Sequence, residues 1–309
     1  FQLLSLALVW ATYLFLINER PSLTWPLAAV VAIQSLVGVA QFVRQADLGL
    51  TVLGELDLDP AVSGVSVLMA DGQRWLRAYG LTGHPNLLAA LIAPLILYLL
   101  SQTRQAAGWR RWTLLGIVGL GAVALVATAS RAAWLAFGLG LALWLAALWS
   151  ERRQASRRAE LSRDAARRRR RSAIAAMAVA GGLALLFLAV YGPLLLTRFF
   201  NLDTSIEARS LFERERDWGI AWQLIRQHPV AGVGMGSYLL EARAVDQAAR
   251  VVHNVPLLVT AELGLLAGLL WLWLTGAPFV AAIRQGKRGW FPLTPGLAPW
   301  VAVVTMGLF

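Results

Sequence analysis

Long apolar stretches alternate with short polar stretches along most of this chain. Each apolar stretch is close to the ~20 residues that a helix needs to cross the hydrocarbon core of a bilayer. Seven can be delimited, and an eighth begins near the carboxyl end: residues 1–16, 22–43, 86–100, 113–129, 132–149, 173–191, 255–279 and 299–309. The pattern predicts an all-α, polytopic integral membrane protein with about eight transmembrane helices.

The longest polar stretch, residues 193–254, contains a segment with helical periodicity. At about 100° per residue, one face of residues 209–227 collects five apolar side chains: Leu211, Trp218, Ala221, Trp222 and Ile225. We therefore expect an amphipathic helix that lies along the membrane surface.

A glycine-rich turn follows the amphipathic segment. His228-Pro229 ends the helical pattern, and Gly232, Gly234 and Gly236 come next at alternate positions. Because glycine adopts backbone conformations that other residues avoid, this turn is expected to let the backbone approach a ligand closely. It lacks the preceding strand of a dinucleotide-binding loop.

The net charge of +11 would indicate a nucleic-acid partner in a soluble protein, but its distribution excludes that reading. The connections at 102–112, 151–172 and 281–290 carry +3, +7 and +3, whereas 44–85 carries −2 and 193–254 carries seven Arg against seven acidic residues. This is a positive-inside pattern. It predicts that the basic connections face the cytoplasm, beside anionic lipid headgroups, and that 193–254 is a long outer (periplasmic) loop.

Composition and the two ends of the chain add to this picture. With 58% hydrophobic residues and a mean hydropathy of +0.60, residues 1–309 are expected to form one polytopic membrane domain. Because the chain starts at Phe1 and both ends fall inside apolar stretches, we interpret it as a piece of a longer protein. Without Cys it has no disulfide framework and no thiol chemistry.

His253-Asn254 stands where the outer loop meets the next apolar stretch. Asn254 is a favourable N-cap for a helix with Pro256 in its first turn. The positive end of that helix would lower the pKa of His253 and keep its ring neutral, as a general base requires. The alternative is a plain interfacial histidine. His84 and His228, each followed by Pro, are interpreted as turn residues.

Two arginines occupy positions where a bound anion would compensate their positive charge. Arg131 lies at the tip of a tight outer hairpin between two apolar stretches, where a charge is costly; the alternative is snorkelling to the interface or to a lipid phosphate. Arg214 shares the apolar face of the amphipathic helix with Trp218. Arg209 and Arg216 point away from that face and are interpreted as solvated charges.

The planar guanidinium of Arg214 suits two-point hydrogen bonding with a phosphate or diphosphate. The alternative is an ion pair within the helix, with Glu213 or Glu215. Glu262 lies nine residues after His253, which turns it to the other side of the helix. We therefore expect either a partner on a neighbouring helix or a protonated structural role.

An Asp-x-Asp pattern near residue 57 resembles part of a divalent-ion site. It consists of Glu55, Asp57 and Asp59, and no further ligand set accompanies it. We therefore predict no metal site.

Several short motifs occur in a fixed order along the chain. They are Thr128-Ala-Ser-Arg131-Ala-Ala-Trp134, Arg214-x-x-x-Trp218, the run from Ile225 through the glycine-rich turn to Tyr238, His253-Asn254, and Glu262-Leu-Gly-Leu-Leu. Together they resemble the O-antigen ligase and polymerase superfamily over residues 113–273. An upstream segment, Arg77-Ala-Tyr-Gly-x-x-Gly-His-Pro-Asn-Leu-Leu-Ala89, extends the resemblance. The chain departs from the family in Ala132, where Gly is common, and in the acidic cluster around Arg214.

This resemblance implies a metal-independent membrane glycosyltransferase with a GT-C-like fold. It would transfer a glycan from a polyprenyl diphosphate to a glycan or lipid acceptor hydroxyl outside the bacterial cytoplasmic membrane. His253 would be the base, Arg131, Arg214 and Arg77 would bind the diphosphate, and no cofactor would be needed. The supporting residues would be Asn254, Trp218 and Glu262.

Other functions stay open at this point. Within the superfamily, the chain could polymerise a glycan or transfer an oligosaccharide to a protein. A flippase for a lipid-linked sugar would line its path with Arg131 and Glu262, although the internal repeat typical of transporters is missing. A non-catalytic scaffold would account for the hydrophobicity but not for Arg214 on an apolar face. The acceptor and the oligomeric state are not determined by these patterns.

Overall fold

The computed structural model describes residues 2–70, 72–157, 182, 185, 189–194, 205–287 and 297–308. Helices account for most of them: α1 (Gln2–Glu19), α2 (Thr24–Arg44), α3 (Pro85–Gln102), α4 (Gly108–Ala127), α5 (Arg131–Arg157), α6 (Ser205–Gln227), α7 (Tyr238–Val245), α8 (Val255–Leu263), α9 (Leu265–Lys287) and α10 (Leu297–Met306). A 3₁₀ turn at Thr51–Leu53 and an antiparallel hairpin of β1 (Val67–Ala70) and β2 (Gln73–Leu76) lie between α2 and α3.

Several of these helices have the length and composition of membrane spans. Within the described residues there are five: Thr24–Arg44, Pro85–Gln102, Gly108–Ala127, Arg131–Trp149 and Leu265–Arg284. In the last of these, only 6% of the residues are buried by the protein, as expected where apolar side chains face lipid. The protein is therefore a mostly helical, multi-pass membrane protein, as predicted.

Four predicted spans have other outcomes. At 1–16 and 299–309 the described residues form shorter apolar helices, Ala7–Glu19 and Leu297–Met306. Most of 173–191 lies outside the described residues. The prediction of one continuous helix over 255–279 is wrong, because α8 ends at Leu263 and α9 starts at Leu265. Gly264 separates them with φ 86° and ψ 173°, a conformation that essentially only glycine adopts. The membrane-spanning helix therefore starts after α8.

The described residues divide into two compact units. The first contains Phe1–Leu27 and Ser210–Trp273, and the second contains Ala28–Arg209 and Leu274–Phe309. Most of α6, together with α7 and α8, thus belongs to the first unit. The β-hairpin and the helices α3, α4, α5 and α10 belong to the second unit.

In the second unit, α3 packs against α4, α5 and α10. Its side chains Leu88, Ile92 and Ile96 are fully buried there. His84 is the N-cap of α3, since its Nδ1 accepts a hydrogen bond from the Asn86 N–H at 3.1 Å. This confirms the interpretation of His84 as a turn residue.

The core of the first unit is small and lies between α6, α7 and α8. Its buried apolar side chains are Ile220, Ala221, Leu224, Ile225, Tyr238, Ala242, Ala249, Val252 and Ala261. Because Val252 directly precedes His253 and Ala249 lies four residues before it, this core holds the segment that leads to the predicted base.

Candidate functional site

The amphipathic helix predicted at 209–227 is present as α6, and the face that it buries within the protein differs from its apolar stripe. Trp218 and Trp222 are 45% and 50% exposed. The buried positions of α6 are Asp217, Ile220, Ala221, Leu224 and Ile225. At about 100° per residue, this face is rotated roughly 90° from the predicted stripe. The two tryptophans dominate the sequence pattern, yet such rings are commonly left half exposed at a membrane interface.

Asn254 caps α8 as predicted. Its Oδ1 accepts a hydrogen bond from the Leu257 backbone N–H at 3.0 Å. Pro256 occupies the first turn, where a helix needs no N–H donor. His253 is therefore held directly before the cap, at the amino end of α8.

The His253 ring is accessible to solvent, yet its surroundings desolvate it in part. This desolvation lowers the pKa of His253 below the ordinary 6.5, and the charge of Arg214 lowers it further. Asp217 acts in the opposite sense, and Arg250 in the same sense as Arg214. The predicted direction is confirmed, and desolvation and the charge of Arg214 are its main causes. The structure thus brings the predicted base near one predicted diphosphate ligand.

Asp217 is the site residue that the sequence patterns did not reveal. It is 2% exposed, and its Oδ1 accepts hydrogen bonds from Arg216 Nη2 at 3.0 Å and from the Arg250 backbone N–H at 3.4 Å. A signal for it does exist in the sequence. Asp217 precedes the buried apolar residues of α6 at spacings of three, four, seven and eight, so it heads the buried stripe.

Arg216 is not a solvated charge, and that prediction is wrong. Besides Asp217, its Nη2 donates to the Ala248 carbonyl at 2.8 Å, and its Nε lies 3.6 Å from Asp246 Oδ2. The hydrogen bond with Asp217 is the main reason why the pKa of Arg216 is raised. The Arg209 side chain lies outside the described residues.

Arg250 joins the same charged cluster from the segment before His253. Its Nη1 lies 3.2 Å from Glu213 Oε2. One of the two acids considered as partners for Arg214 is therefore engaged by another arginine.

The glycine-rich turn, residues 228–237, approaches the backbone of α8. The Val233 N–H donates to the Ala261 carbonyl and the Gly234 N–H to the Glu262 carbonyl, both at 2.9 Å. Carbonyl groups in the last turn of a helix lack partners within the helix, so these bonds complete the end of α8. The backbone of the turn therefore lies close to the backbone of α8.

Two glycines permit this approach. A Cβ on Gly232 would collide with the Glu262 backbone, and a Cβ on Gly264 would collide with the Val230 carbonyl. Both residues also have positive φ, at 67° and 86°. Larger residues at either position would separate the turn from α8.

Glu262 has its partner on a neighbouring helix, as expected. Its Oε1 accepts a hydrogen bond from the Tyr238 N–H at 3.4 Å, at the amino end of α7. The Tyr238 hydroxyl in turn donates to the Asp217 carbonyl at 3.3 Å, and burial raises the pKa of Tyr238 to about 12. Glu262 therefore supports the fold around the site.

Arg77 belongs to the second unit and is 3% exposed. Its Nε donates to the Thr128 carbonyl at 2.6 Å, its Nη1 to Ser66 Oγ at 2.7 Å and its Nη2 to Asn86 Oδ1 at 2.8 Å. It connects the start of the β-hairpin, the start of α3 and the turn before α5. These protein partners favour a positioning role for Arg77 over direct diphosphate binding.

Arg131 starts α5 after the predicted tight hairpin. Ala129 has φ 48°, in the left-handed region, and Thr128 is buried. Trp134 Nε1 donates to the Leu125 carbonyl at 3.0 Å, which closes the turn. Arg131 is partly exposed at a helix amino end, where the backbone N–H groups also favour an anion.

The acidic pattern near residue 57 is used within the fold. Glu55 is 5% exposed, and its Oε1 accepts hydrogen bonds from Gln41 Nε2 at 2.7 Å and from the Leu48 N–H at 2.8 Å. Asp59 Oδ1 accepts from the Ala61 N–H at 2.8 Å in a local turn. Among the described residues, no group of three His, Asp or Glu side chains is arranged to hold a metal ion.

Comparison with protein families identifies the chain. The sequence model of the family described as O-antigen ligase matches residues 116–272, which are 157 of the 309 residues. The chain belongs to the O-antigen ligase family. It is therefore a membrane enzyme of the ligase or polymerase type. No curated protein and no solved structure matches it.

In this O-antigen ligase family member, the matched region includes Arg131, Arg214 and His253, whereas Arg77 precedes it. Arg214 and His253 come together in the first unit. Arg131 and Arg77 belong to the second unit, where Arg77 holds the turn from which α5 starts.

Proposed function

We propose that this O-antigen ligase family member transfers a glycan from a polyprenyl diphosphate to an acceptor hydroxyl at the outer face of the bacterial cytoplasmic membrane. The acceptor hydroxyl belongs to a lipid, a glycan or a protein. A ligase, a polymerase and a protein oligosaccharyltransferase differ in that acceptor but share the donor chemistry.

One observation carries this proposal: a neutral imidazole beside a guanidinium. Desolvation and Arg214 together lower the pKa of His253, which favours the unprotonated ring that a general base requires. The same Arg214 supplies positive charge where a leaving diphosphate would need it. A base and an anion-stabilising group are the two parts that glycosyl transfer from a diphosphate requires.

The reaction then involves one bond formed and one broken at the sugar. The acceptor oxygen attacks the anomeric carbon while His253 takes its proton. The bond between the anomeric carbon and the phosphate oxygen breaks, and its electron pair leaves with the polyprenyl diphosphate. Arg214 stabilises the negative charge that grows on this leaving group.

Arg131 is proposed as a second diphosphate ligand. Its support is its place in the first turn of α5, where a guanidinium and helix N–H groups favour the same anion. Arg77 is proposed to act indirectly, by holding the Thr128 carbonyl and thereby the turn that presents Arg131. Positive charge from arginine would here take the part that a divalent ion has in other transferases.

The exposed face of α6 suits a substrate that lies at headgroup depth. Trp218 and Trp222 are about half exposed, as is common for tryptophan at a membrane interface. A polyprenyl diphosphate keeps its chain in the bilayer and its diphosphate at that interface, which is where we place α6.

The test uses the purified protein in vesicles with lipid-linked glycan and acceptor. We expect His253→Ala and Arg214→Ala each to reduce covalent transfer by roughly a hundredfold or more, because the base or the anion-stabilising charge is lost. Arg243→Ala, at an exposed position of the same unit, is the control and should transfer normally. All three variants should insert into membranes like the wild type.

Two results would contradict the proposal. Transfer at the wild-type rate by His253→Ala would remove this residue as the base. Movement of the glycan lipid across the vesicle membrane, without covalent attachment to acceptor, would instead support a transporter.

A further inference from the structure

Asp217 is a buried carboxylate beside the proposed base. It is 2% exposed and lies on α6, three residues after Arg214. Its backbone carbonyl accepts from Tyr238 and its carboxylate from Arg216 and Arg250, so it links α6 to α7 and to the segment before His253. An acidic group in this position is costly to bury unless it is hydrogen-bonded, and these bonds meet that need.

The carboxylate reaches His253 through the backbone rather than by a direct contact. It accepts the Arg250 N–H at 3.4 Å, and the flanking residues Ala249 and Val252 are 2% and 3% exposed in the same core. The segment is therefore fixed by a hydrogen bond and by apolar packing immediately before His253. Asn254 fixes the other side by capping α8.

The charges that act on the imidazole come from two elements. Arg214 and Asp217 belong to α6, and Arg250 belongs to the segment that carries His253. Arg214 and Arg250 disfavour the protonated ring, whereas Asp217 favours it. When the base takes a proton during transfer, Asp217 is thus the charged group that opposes the cost of the new positive charge.

We propose that Asp217 is a positioning residue for His253: it holds the segment before the imidazole through the Arg250 N–H and stabilises the imidazolium formed during transfer. This inference rests on the proposed role of His253 as base. It assigns to α6 two opposed functions, since Arg214 adds to the desolvation that favours the neutral resting base and Asp217 stabilises the base after it has accepted the proton.

A simpler role for Asp217 would be to neutralise Arg216. Asp246 also contributes negative charge to Arg216, since its Oδ2 lies 3.6 Å from Arg216 Nε. Asp246 is therefore a matched control: it pairs with the same arginine, whereas the charges that shift the pKa of His253 are those of Arg214, Asp217 and Arg250. A variant of each aspartate separates the two roles.

The decisive measurement is the titration of His253 by NMR in nanodiscs, with isotope-labelled histidine. The chain has three histidines, so His84→Gln and His228→Gln assign the signals. In Asp217→Asn we expect the midpoint of His253 to move to lower pH, because removing a negative charge further disfavours the protonated ring. Asp246→Asn should leave it unchanged, Asp217→Glu should restore it, and Arg214→Gln should move it to higher pH.

Transfer assays provide the second readout. For a base that must be unprotonated, kcat/KM rises with pH through the pKa of the free enzyme. In Asp217→Asn this rise should shift to lower pH with the His253 titration, while the plateau of kcat falls roughly tenfold or more and KM changes little. Asp246→Asn should keep the wild-type profile.

Asp217→Asn removes the main partner of the partly exposed Arg216 charge and disturbs the hydrogen bonds of a buried position, which could prevent folding. In that case the double variant Arg216→Gln with Asp217→Asn is compared with Arg216→Gln alone, and the same shift of the His253 midpoint is expected. An unchanged midpoint in the folded variant would overturn this inference. Retained transfer by His253→Ala would overturn the proposed function instead, whatever the titration shows.

Discussion

Arg77 and Arg131 are associated with the same short turn but have different surroundings: Arg77 donates to the Thr128 carbonyl, and Arg131 follows the turn in the chain. Arg77 is 3% exposed and donates to Thr128, Ser66 and Asn86. Arg131 is partly exposed in the first turn of α5. An enclosed guanidinium holds other groups in place, whereas one at a helix amino end can bind an anion with two parallel hydrogen bonds. At the residue scale, these different surroundings support the two roles that we propose.

Arg131→Lys tests this assignment. Lysine keeps the charge but lacks the planar fork, so we expect kcat/KM for the lipid-linked glycan to fall about tenfold, which corresponds to about 1.4 kcal/mol of transition-state stabilisation. The measurement is the initial rate of transfer in vesicles at several donor concentrations. Arg110→Lys, at an exposed position of α4, is the control. An unchanged rate for Arg131→Lys would rule out two-point binding at this position.

The glycine-rich turn and α8 depend on each other at the scale of elements. The turn donates backbone hydrogen bonds from Val233 and Gly234 to the end of α8, and Gly264 then separates α8 from α9. This break keeps α8 as a short helix in the first unit, with His253 at its amino end. A continuous helix from 255 to 279 would leave no free helix end for the turn to complete.

Gly264→Ala tests that arrangement. The substitution places a side chain at φ 86° and against the Val230 carbonyl, and strain of this kind costs on the order of 1–3 kcal/mol. We expect a lower thermal unfolding temperature, followed by tryptophan fluorescence in detergent, and reduced transfer. Gly219→Ala is the matched control, because a Cβ there meets nothing within 4 Å. Equal melting of the two variants would show that the break at Gly264 carries no strain.

The charge pattern of the whole molecule makes a topological prediction. The connections 102–112, 151–172 and 281–290 carry +3, +7 and +3, whereas 193–254 carries equal numbers of Arg and acidic residues. By the positive-inside rule, the three connections face the cytoplasm and the segment that carries His253 faces outward. The proposed donor lipid and acceptor would then meet at the outer surface.

Cysteine labelling tests this orientation, and the chain is suited to it because it contains no Cys. We expect Gln247→Cys to react with a membrane-impermeant maleimide in intact cells, since residue 247 belongs to the outward segment. Gln105→Cys, also at an exposed position, should react only after the membrane is permeabilised. The reverse result would place His253 in the cytoplasm and contradict the proposed acceptor side.

Local features were predictable from the sequence. The end of α6 at Gln227, the cap by Asn254 and the tight turn before Arg131 depend on residues close together in the chain, and the structure confirms each of them. Five candidate spans follow from length and apolar composition alone. The buried face of α6 was not predictable in this way, because Trp218 and Trp222 count as apolar wherever they point.

The sequence by itself determined that this is a multi-pass membrane protein of the O-antigen ligase family and that His253 stands at a helix amino end. Those properties follow from apolar length, capping and short motifs. Only the tertiary structure decided which charges surround the imidazole. Asp217 and Arg250 are 33 residues apart and meet because α6 packs against the segment before His253. Electrostatic effects depend on distance in space, which the order of residues does not contain.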